Sequence, residues 1–152
     1  MERQAKRIVI DTREQRPYSF EDSTRAALSA GDYSIEGLET AIAVERKSLS
    51  DWISTIIHDG KRFARELDKL SAYHAAAVVI ESSIPEILSG EYRSEIKPSA
   101  LLGRTLALMQ SYPSISFILA GDRPHARICT ERFLRLAAAR IERKENCESE
   151  AA

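Results

Sequence analysis

Acidic residues stand where the predicted strands end or bend, and a lysine accompanies one of them. Asp11 and Glu14 belong to "DTRE", Asp32 to "GDY", and Glu45 and Lys47 to "VERK". Side chains two positions apart on an extended strand point to the same face, so Glu45 and Lys47 share one face. If the segments around Asp32 and Glu45 pair as a hairpin, their carboxylates converge near this lysine.

Carboxylates held close together repel one another unless a cation neutralises them. Oxygen ligands of this kind suit Mg²⁺ or Mn²⁺. Such an ion can polarise a phosphodiester, and a nearby lysine can orient water or stabilise charge on the reacting phosphate. The spacing Asp-x(12)-Glu-x-Lys is therefore that of a metal-dependent nuclease site.

Each of these residues also has an ordinary structural interpretation. Asp11, Glu14 and Asp32 can belong to polar turns. The three charges of "ERK" can form a solvated strand end whose ion pairs contribute little. Asp51, three residues after Ser48, is well placed to cap the start of a helix, a role that is compatible with a functional one. The spacing alone leaves these alternatives open.

Strand and helix patterns must position these side chains. The predicted strands cover 7–11, 25–35 with a bend at a glycine, 41–46, 75–82 and 114–121. The predicted helices cover 48–57, 61–73, 98–112 and 123–143. This order predicts a single α/β domain with a central mixed sheet flanked by helices, a core over about 7–143, and a frayed tail over 144–152.

The composition narrows the class of protein. The chain has 152 residues and a net charge of −1, which argues against holding nucleic acid by bulk electrostatics but suits a metal-binding acidic cluster. No apolar run is long enough to span a bilayer, and the start has no signal-peptide pattern, so a cytoplasmic protein is predicted. Cys129 and Cys147 are then reduced thiols. The three histidines lack ligand spacing, which argues against a zinc site.

The three segments "IDTRE", "GDYSI" and "VERKSLSDWISTI" together closely resemble the nuclease domain of the XPF/Hef family. The family motif reads G-D-x(n)-E-R-K-x-x-x-D, and it is matched in order by Gly31, Asp32, Glu45, Arg46, Lys47 and Asp51. The upstream Asp-x-Arg-Glu of the family is matched by Asp11, Arg13 and Glu14. The resemblance implies a restriction-endonuclease-like core, the PD-(D/E)XK fold, and cutting of DNA near branch points such as flaps and forks with Mg²⁺ or Mn²⁺.

The resemblance also implies roles for single residues. Asp32 and Glu45 are expected to be metal ligands, with Asp11 as a further acidic member. Lys47 is similar to the catalytic lysine of the family. Arg46 is similar to an arginine that supports the site, for which a phosphate contact is one role.

Two acids and a set of basic residues complete the candidates. Glu14 and Asp51 match the other acidic positions of the family, and the part of Asp51 can be structural. The residues expected to hold DNA are Arg13, Arg16, Lys61, Arg62, Arg65 and Lys69. For those on helix 61–73, a solvated polar face is the commoner explanation.

Members of this family usually carry a helix-hairpin-helix tandem after the nuclease, and many carry a helicase before it. These 152 residues hold neither, so we expect a standalone bacterial or phage form, and a partner chain that supplies DNA specificity is an alternative that the sequence leaves open. The alternative function is a non-catalytic DNA-binding or scaffold subunit. Such subunits in the family lose motif acids or the lysine, whereas this chain keeps them, which favours catalysis.

The predicted final helix has a broad apolar arc. Its members are Cys129, Phe133, Leu134, Leu136, Ala137, Ala138 and Ile141. Burial under a single sheet explains such an arc. Because the family dimerises through this domain, the resemblance favours a homodimer through helix 123–143.

Overall fold

The computed structural model describes residues 4–152. Its strands are β1 (Ile8–Asp11), β2 (Ser23–Ala26), β3 (Tyr33–Ile35), β4 (Ile42–Ser48), β5 (Ala75–Glu81) and β6 (Ile115–Leu119). Its helices are α1 (Leu49–Ile57), α2 (Gly60–Ser71), α3 (Ile84–Ser89), α4 (Pro98–Ser111) and α5 (Arg123–Ala151).

The six strands form one mixed sheet in the order β2-β1-β3-β4-β5-β6. The pairs β1–β2, β4–β5 and β5–β6 are parallel, whereas β1–β3 and β3–β4 are antiparallel. β5 is the most apolar strand, because helices cover it on both faces. The predicted mixed sheet flanked by helices is therefore confirmed.

The two faces of the sheet carry separate cores. On one face α5 packs through Leu134 and its neighbours against side chains such as Ile42 and Val44 of β4. On the other face Ala43 of β4 packs with Trp52 and residues of α1 to α4. Because side chains alternate along a strand, the polar side chains of β4 also point to both faces of the sheet. This alternation determines which face of the sheet each candidate site residue of β4 reaches.

The structure corrects the strand predicted over 25–35. β2 lies on one side of β1 and β3 on the other, so the segment forms two strands rather than one bent strand. The break includes Gly31, whose φ of 76° is the left-handed region that favours glycine. This conformation departs from the extended backbone of a strand, and Gly31 lies between β2 and β3.

The predicted frayed tail 144–152 is wrong, because α5 continues to Ala151. The segment consists mainly of Glu, Lys and Ala, which are good helix formers and extend the helix although their side chains are exposed. The short helix α3, which begins with Ser83 as its N-cap, was not predicted. Across residues 4–152, none of the helices combines the length and the apolar character that crossing a membrane requires.

Candidate active site

The β3–β4 pair brings Asp32 next to Glu45. Tyr33 lies opposite Val44 in the antiparallel ladder, and the Asp32 amide donates to the Val44 carbonyl at 2.8 Å. The carbonyl of Asp32 accepts from the Asp11 amide, also at 2.8 Å. Acidic residues from β1, β4 and the turn before β3 therefore lie close together in the central sheet.

Gly31 allows this close approach. A Cβ atom at this position would lie 3.1 Å from the Cβ of Ala43 and 3.1 Å from the carbonyl oxygen of Val44. The absence of a side chain thus lets the turn before Asp32 lie directly on β4, in addition to permitting the positive φ. The glycine of the "GD" pair positions the acid that follows it.

An open groove of about 400 Å³ lies beside this sheet end, between β4 and α2. Its acidic lining consists of Asp11, Asp32, Glu45, Asp59 and Glu66. Its basic lining consists of Arg13, Lys47, Arg62 and Lys69. The groove therefore has acids from β1, β4, the turn before β3 and α2 with its N-cap, and bases from β4, α2 and the loop after β1.

Asp32 and Glu45 are half-buried carboxylates whose charges disfavour one another. Burial, together with the charge of Glu14, raises the pKa of Asp32 to about 6, against the opposing effect of the Arg46 amide. Burial and the neighbouring charge of Asp32 raise the pKa of Glu45 to about 8. Two such carboxylates form a site whose ionised state requires added positive charge.

Lys47 supplies part of that charge. Its Nζ lies 3.6 Å from Oε1 of Glu45, and only 19% of its side chain is exposed. The ammonium also lies 5.0 Å from the centroid of the Phe63 ring, which holds it within the groove. One lysine beside two carboxylates leaves a net negative centre when both acids are ionised.

Asp11 is in a different electrostatic state. Its Oδ1 accepts from the Leu28 amide at 2.9 Å, and its Oδ2 accepts from Nε of Arg13 at 2.9 Å. Burial acts to raise the pKa of Asp11, but these two donors outweigh it and lower the pKa. Asp11 is therefore ionised and already paired, and Arg13 is committed to it although 73% of its side chain is exposed.

The site suits a divalent cation bound by two carboxylates better than one bound by three. Asp32 and Glu45 are short of positive charge, whereas both oxygens of Asp11 have donors. Within the described part of the chain, no group of three or more His, Cys, Asp or Glu side chains is arranged to hold a metal ion. Hard oxygen ligands supplemented by water are typical of Mg²⁺.

With this geometry established, comparison with known proteins decides the family. The model of the ERCC4 domain matches residues 10–126, a span that includes every acidic residue named above. The chain belongs to the ERCC4 domain family. The resemblance to an XPF-type nuclease domain is thereby confirmed.

Solved structures agree with this assignment. XPF from Aeropyrum pernix superposes with a TM-score of 0.66 at 24% identity, covering 86% of this chain and 61% of that one. The same protein in complex with DNA gives a TM-score of 0.66 at 24% identity, covering 88% of this chain and 66% of that one. The predicted restriction-endonuclease-like fold is therefore confirmed, and this chain spans about two thirds of the XPF chains. No curated protein matches it.

Arg46 of this ERCC4 domain lies on the opposite face of the sheet from Glu45 and Lys47. Its guanidinium donates to Glu81 at 2.7 Å and to Glu14 at 3.3 Å. All three side chains are at most 10% exposed. Only the main chain of Arg46 reaches the groove, where its amide donates to Oδ2 of Asp32 at 2.7 Å. The geometry therefore makes Arg46 and Glu14 part of the support beneath Asp32.

Asp51 lies outside the groove of the ERCC4 domain. The Ser48 hydroxyl accepts from the Asp51 amide at 3.1 Å and caps α1, so the capping side chain is that of Ser48. The Asp51 residue is exposed in the first turn of α1, where a negative charge favours the positive helix end. The structure does not bring it to Asp32 and Glu45.

The predicted DNA-binding residues divide into two groups. Arg13, Arg62 and Lys69 line the groove. Arg16, Lys61 and Arg65 are exposed but do not line it. An electrostatic track beside the acidic centre is therefore formed by three of the six residues.

Three acids of the site were not predicted from the sequence: Asp59, which lines the groove where α2 begins, Glu66 and Glu81. Glu66 of α2 lines the groove, and Glu81 anchors Arg46 from β5. Glu81 could have been predicted, because it follows a run of apolar residues as Glu45 does. Glu66 could not, since an acid on the polar side of an amphipathic helix is ordinary.

Proposed function

We propose that this ERCC4 domain is a metal-dependent DNA endonuclease that hydrolyses phosphodiester bonds with Mg²⁺ or Mn²⁺. The observation that carries the proposal is the meeting of two half-buried, mutually repelling carboxylates, Asp32 and Glu45, with the Lys47 ammonium in one open groove. Holding two such acids together costs folding free energy, so the arrangement indicates a functional site.

The residues of the groove have different roles in the proposed hydrolysis. Asp32 and Glu45 would hold the cation, which when bound supplies charge that polarises the phosphodiester and lowers the pKa of water. Lys47 is placed to orient the attacking water or to stabilise the growing negative charge on the phosphate oxygens. The water oxygen loses a proton to solvent and forms a bond to phosphorus, the ester bond to the leaving oxygen breaks, and the leaving oxygen takes up a proton from solvent to become a hydroxyl group.

DNA contacts are proposed for the basic residues around the groove. Arg62 and Lys69 lie on α2 with their side chains exposed, so they can meet backbone phosphates on either side of the cut bond. Arg13, Arg16, Lys61 and Arg65 extend this set. One XPF structure with the same fold contains DNA, which supports this assignment. We propose branched DNA, such as flaps and forks, as the substrate, with a partner chain contributing to its selection.

The test is a cleavage assay with end-labelled flap, fork, plain duplex and single-stranded DNA in Mg²⁺, Mn²⁺ or EDTA. We expect cutting that requires the metal, that is fastest on branched DNA, and that is lost in Asp32→Asn. Glu91→Gln, which changes an exposed acid outside the groove, is the matched control and should cut like the wild type. Well-folded protein that binds DNA but cuts none of the substrates would instead support the scaffold function.

The homodimer through α5 is also a proposal. The structure buries Leu134, Ala137 and Ala138 against the sheet, which accounts for part of the predicted arc. It leaves Ile128 47% exposed and Leu136 59% exposed on the outer side of the helix. Two large apolar side chains facing outward from one helix are a suitable centre for contact with a second copy.

Light scattering coupled to size-exclusion chromatography tests this dimer. We expect the mass of two chains for the wild type and of one chain for Leu136→Glu, because a buried unpaired carboxylate is costly in such a contact. Leu88→Glu is the control, since Leu88 is similarly exposed, at 50%, but lies on α3. A monomeric wild type, or a Leu136→Glu protein that stays dimeric, would contradict the proposal.

A further inference from the structure

Glu66 accepts a hydrogen bond that the roles assigned so far to the groove residues do not include. Its Oε1 accepts from the Gly31 amide at 3.0 Å, although the two residues are 35 positions apart. Gly31 lies before β3 begins, and its N–H donates to α2 rather than to a neighbouring strand. A partly buried amide without an acceptor is costly, and Glu66 supplies the acceptor.

This bond completes the support of the loop that carries Asp32. The Asp32 amide and carbonyl are held by β4 and β1, and its Oδ2 accepts from the Arg46 amide. Each of those partners belongs to the sheet or to the turn itself. Glu66 adds a hydrogen bond from the same loop to α2, the helix that also carries Arg62 and Lys69, beside the apolar packing of Ala30 in the core that includes Phe63.

We propose that Glu66 is a positioning residue for the nuclease reaction. It holds the Gly31–Asp32 turn at a set distance from α2, and it thereby aligns the carboxylate of Asp32 with the basic residues that hold the DNA. Small displacements of a reacting constellation cost large factors in rate, so loss of this bond lowers turnover more than DNA affinity. This inference rests on the proposed function.

The two possible roles of Glu66, hydrogen-bond acceptor and negative charge, can be separated by substitution. Glu66→Gln keeps a side-chain oxygen that can accept from the Gly31 amide but removes the charge. Glu66→Ala removes both. A positioning residue is rescued by Gln, whereas a metal ligand or an electrostatic group is not.

The experiment compares kcat, KM for DNA and the Mg²⁺ concentration for half-maximal rate in both variants. Glu66→Ala should lose about tenfold or more in kcat with KM changed by less than about threefold. Glu66→Gln should stay within about threefold of wild-type kcat, with an unchanged Mg²⁺ requirement. Asp68→Asn, an equal charge change on α2 outside the groove, is the control.

Amide hydrogen exchange at Gly31 tests the bond itself without requiring activity. Exchange should be slow in the wild type and in Glu66→Gln and faster in Glu66→Ala, with thermal unfolding used to show that all three are folded. Equal loss of kcat in Gln and Ala variants, or a raised Mg²⁺ requirement in Glu66→Gln, would overturn the positioning role. A wild type that cuts no DNA would instead overturn the proposed function, while the exchange result would still report on the bond.

Discussion

Replacing Lys47 by alanine is expected to lower kcat for DNA cleavage by about 10²- to 10⁴-fold, with the domain still folded. The ammonium lies 3.6 Å from Oε1 of Glu45 and is held within the groove against the Phe63 ring. Its loss removes the charge that, in the proposed mechanism, stabilises the reacting phosphate. It also leaves Glu45 with less compensation, so ionisation of the acidic pair requires a still higher pH.

Lys69→Ala is the informative comparison, because Lys69 lines the same groove but is exposed on α2. It should raise KM and flatten the salt dependence of DNA binding with little change in kcat, as expected for a phosphate contact. Single-turnover cleavage at saturating protein separates the two effects. A Lys47→Ala protein that cuts at the wild-type rate would remove Lys47 from the proposed mechanism.

The second large effect concerns stability and pH in the absence of metal. Glu45→Gln is expected to increase the free energy of unfolding at pH 8 by roughly 2 kcal/mol and to change it little at pH 4. The reason is that the folded protein raises the pKa of Glu45 to about 8, from an ordinary value of 4.5. An amide of similar shape avoids the repulsion from Asp32.

The sign follows from counting protons. Below pH 4.5 the carboxyl group of Glu45 is protonated in both the folded and the unfolded chain, so the wild type loses nothing there. Between that pH and about 8, the folded chain keeps a proton that the unfolded chain releases. The stability of the wild type therefore falls as the pH rises through this window. Asp32, with its pKa raised to about 6, contributes in the same direction over a narrower range.

Urea unfolding followed by circular dichroism at several pH values in EDTA measures this difference. Adding Mg²⁺ or Mn²⁺ at pH 8 should restore stability to the wild type and not to Glu45→Gln, because only the wild type keeps both carboxylates for the ion. Glu91→Gln again serves as the control for loss of an exposed charge. A wild type whose stability rises steadily from pH 5 to pH 8 without metal would contradict the assigned repulsion.

Local sequence patterns were sufficient for much of the fold. The predicted strands 7–11, 41–46, 75–82 and 114–121 correspond to β1, β4, β5 and β6, since short apolar runs mark strands that are buried. The stripe of Phe63, Leu67 and Leu70 is buried as its helical spacing requires. The prediction for 25–35 was wrong because its alternating apolar and polar residues are compatible with one strand. The local sequence does not specify which neighbouring strand each part pairs with.

The sequence by itself determined which acids and which lysine could act together. Asp32 and Glu45 come together because they adjoin the paired residues Tyr33 and Val44 of the β3–β4 hairpin. Glu45 and Lys47 share a face because side chains alternate along a strand. These are short-range relations, and the residue order specifies them.

Only the tertiary structure decided what surrounds that centre. Arg13 neutralises Asp11, and Glu81 meets Arg46 through the parallel register of β4 and β5. Glu66 reaches Gly31 across 35 positions. Such contacts depend on how strands pair and how a helix lies on the sheet. Their formation is governed by packing over the whole domain, which no local pattern of residues records.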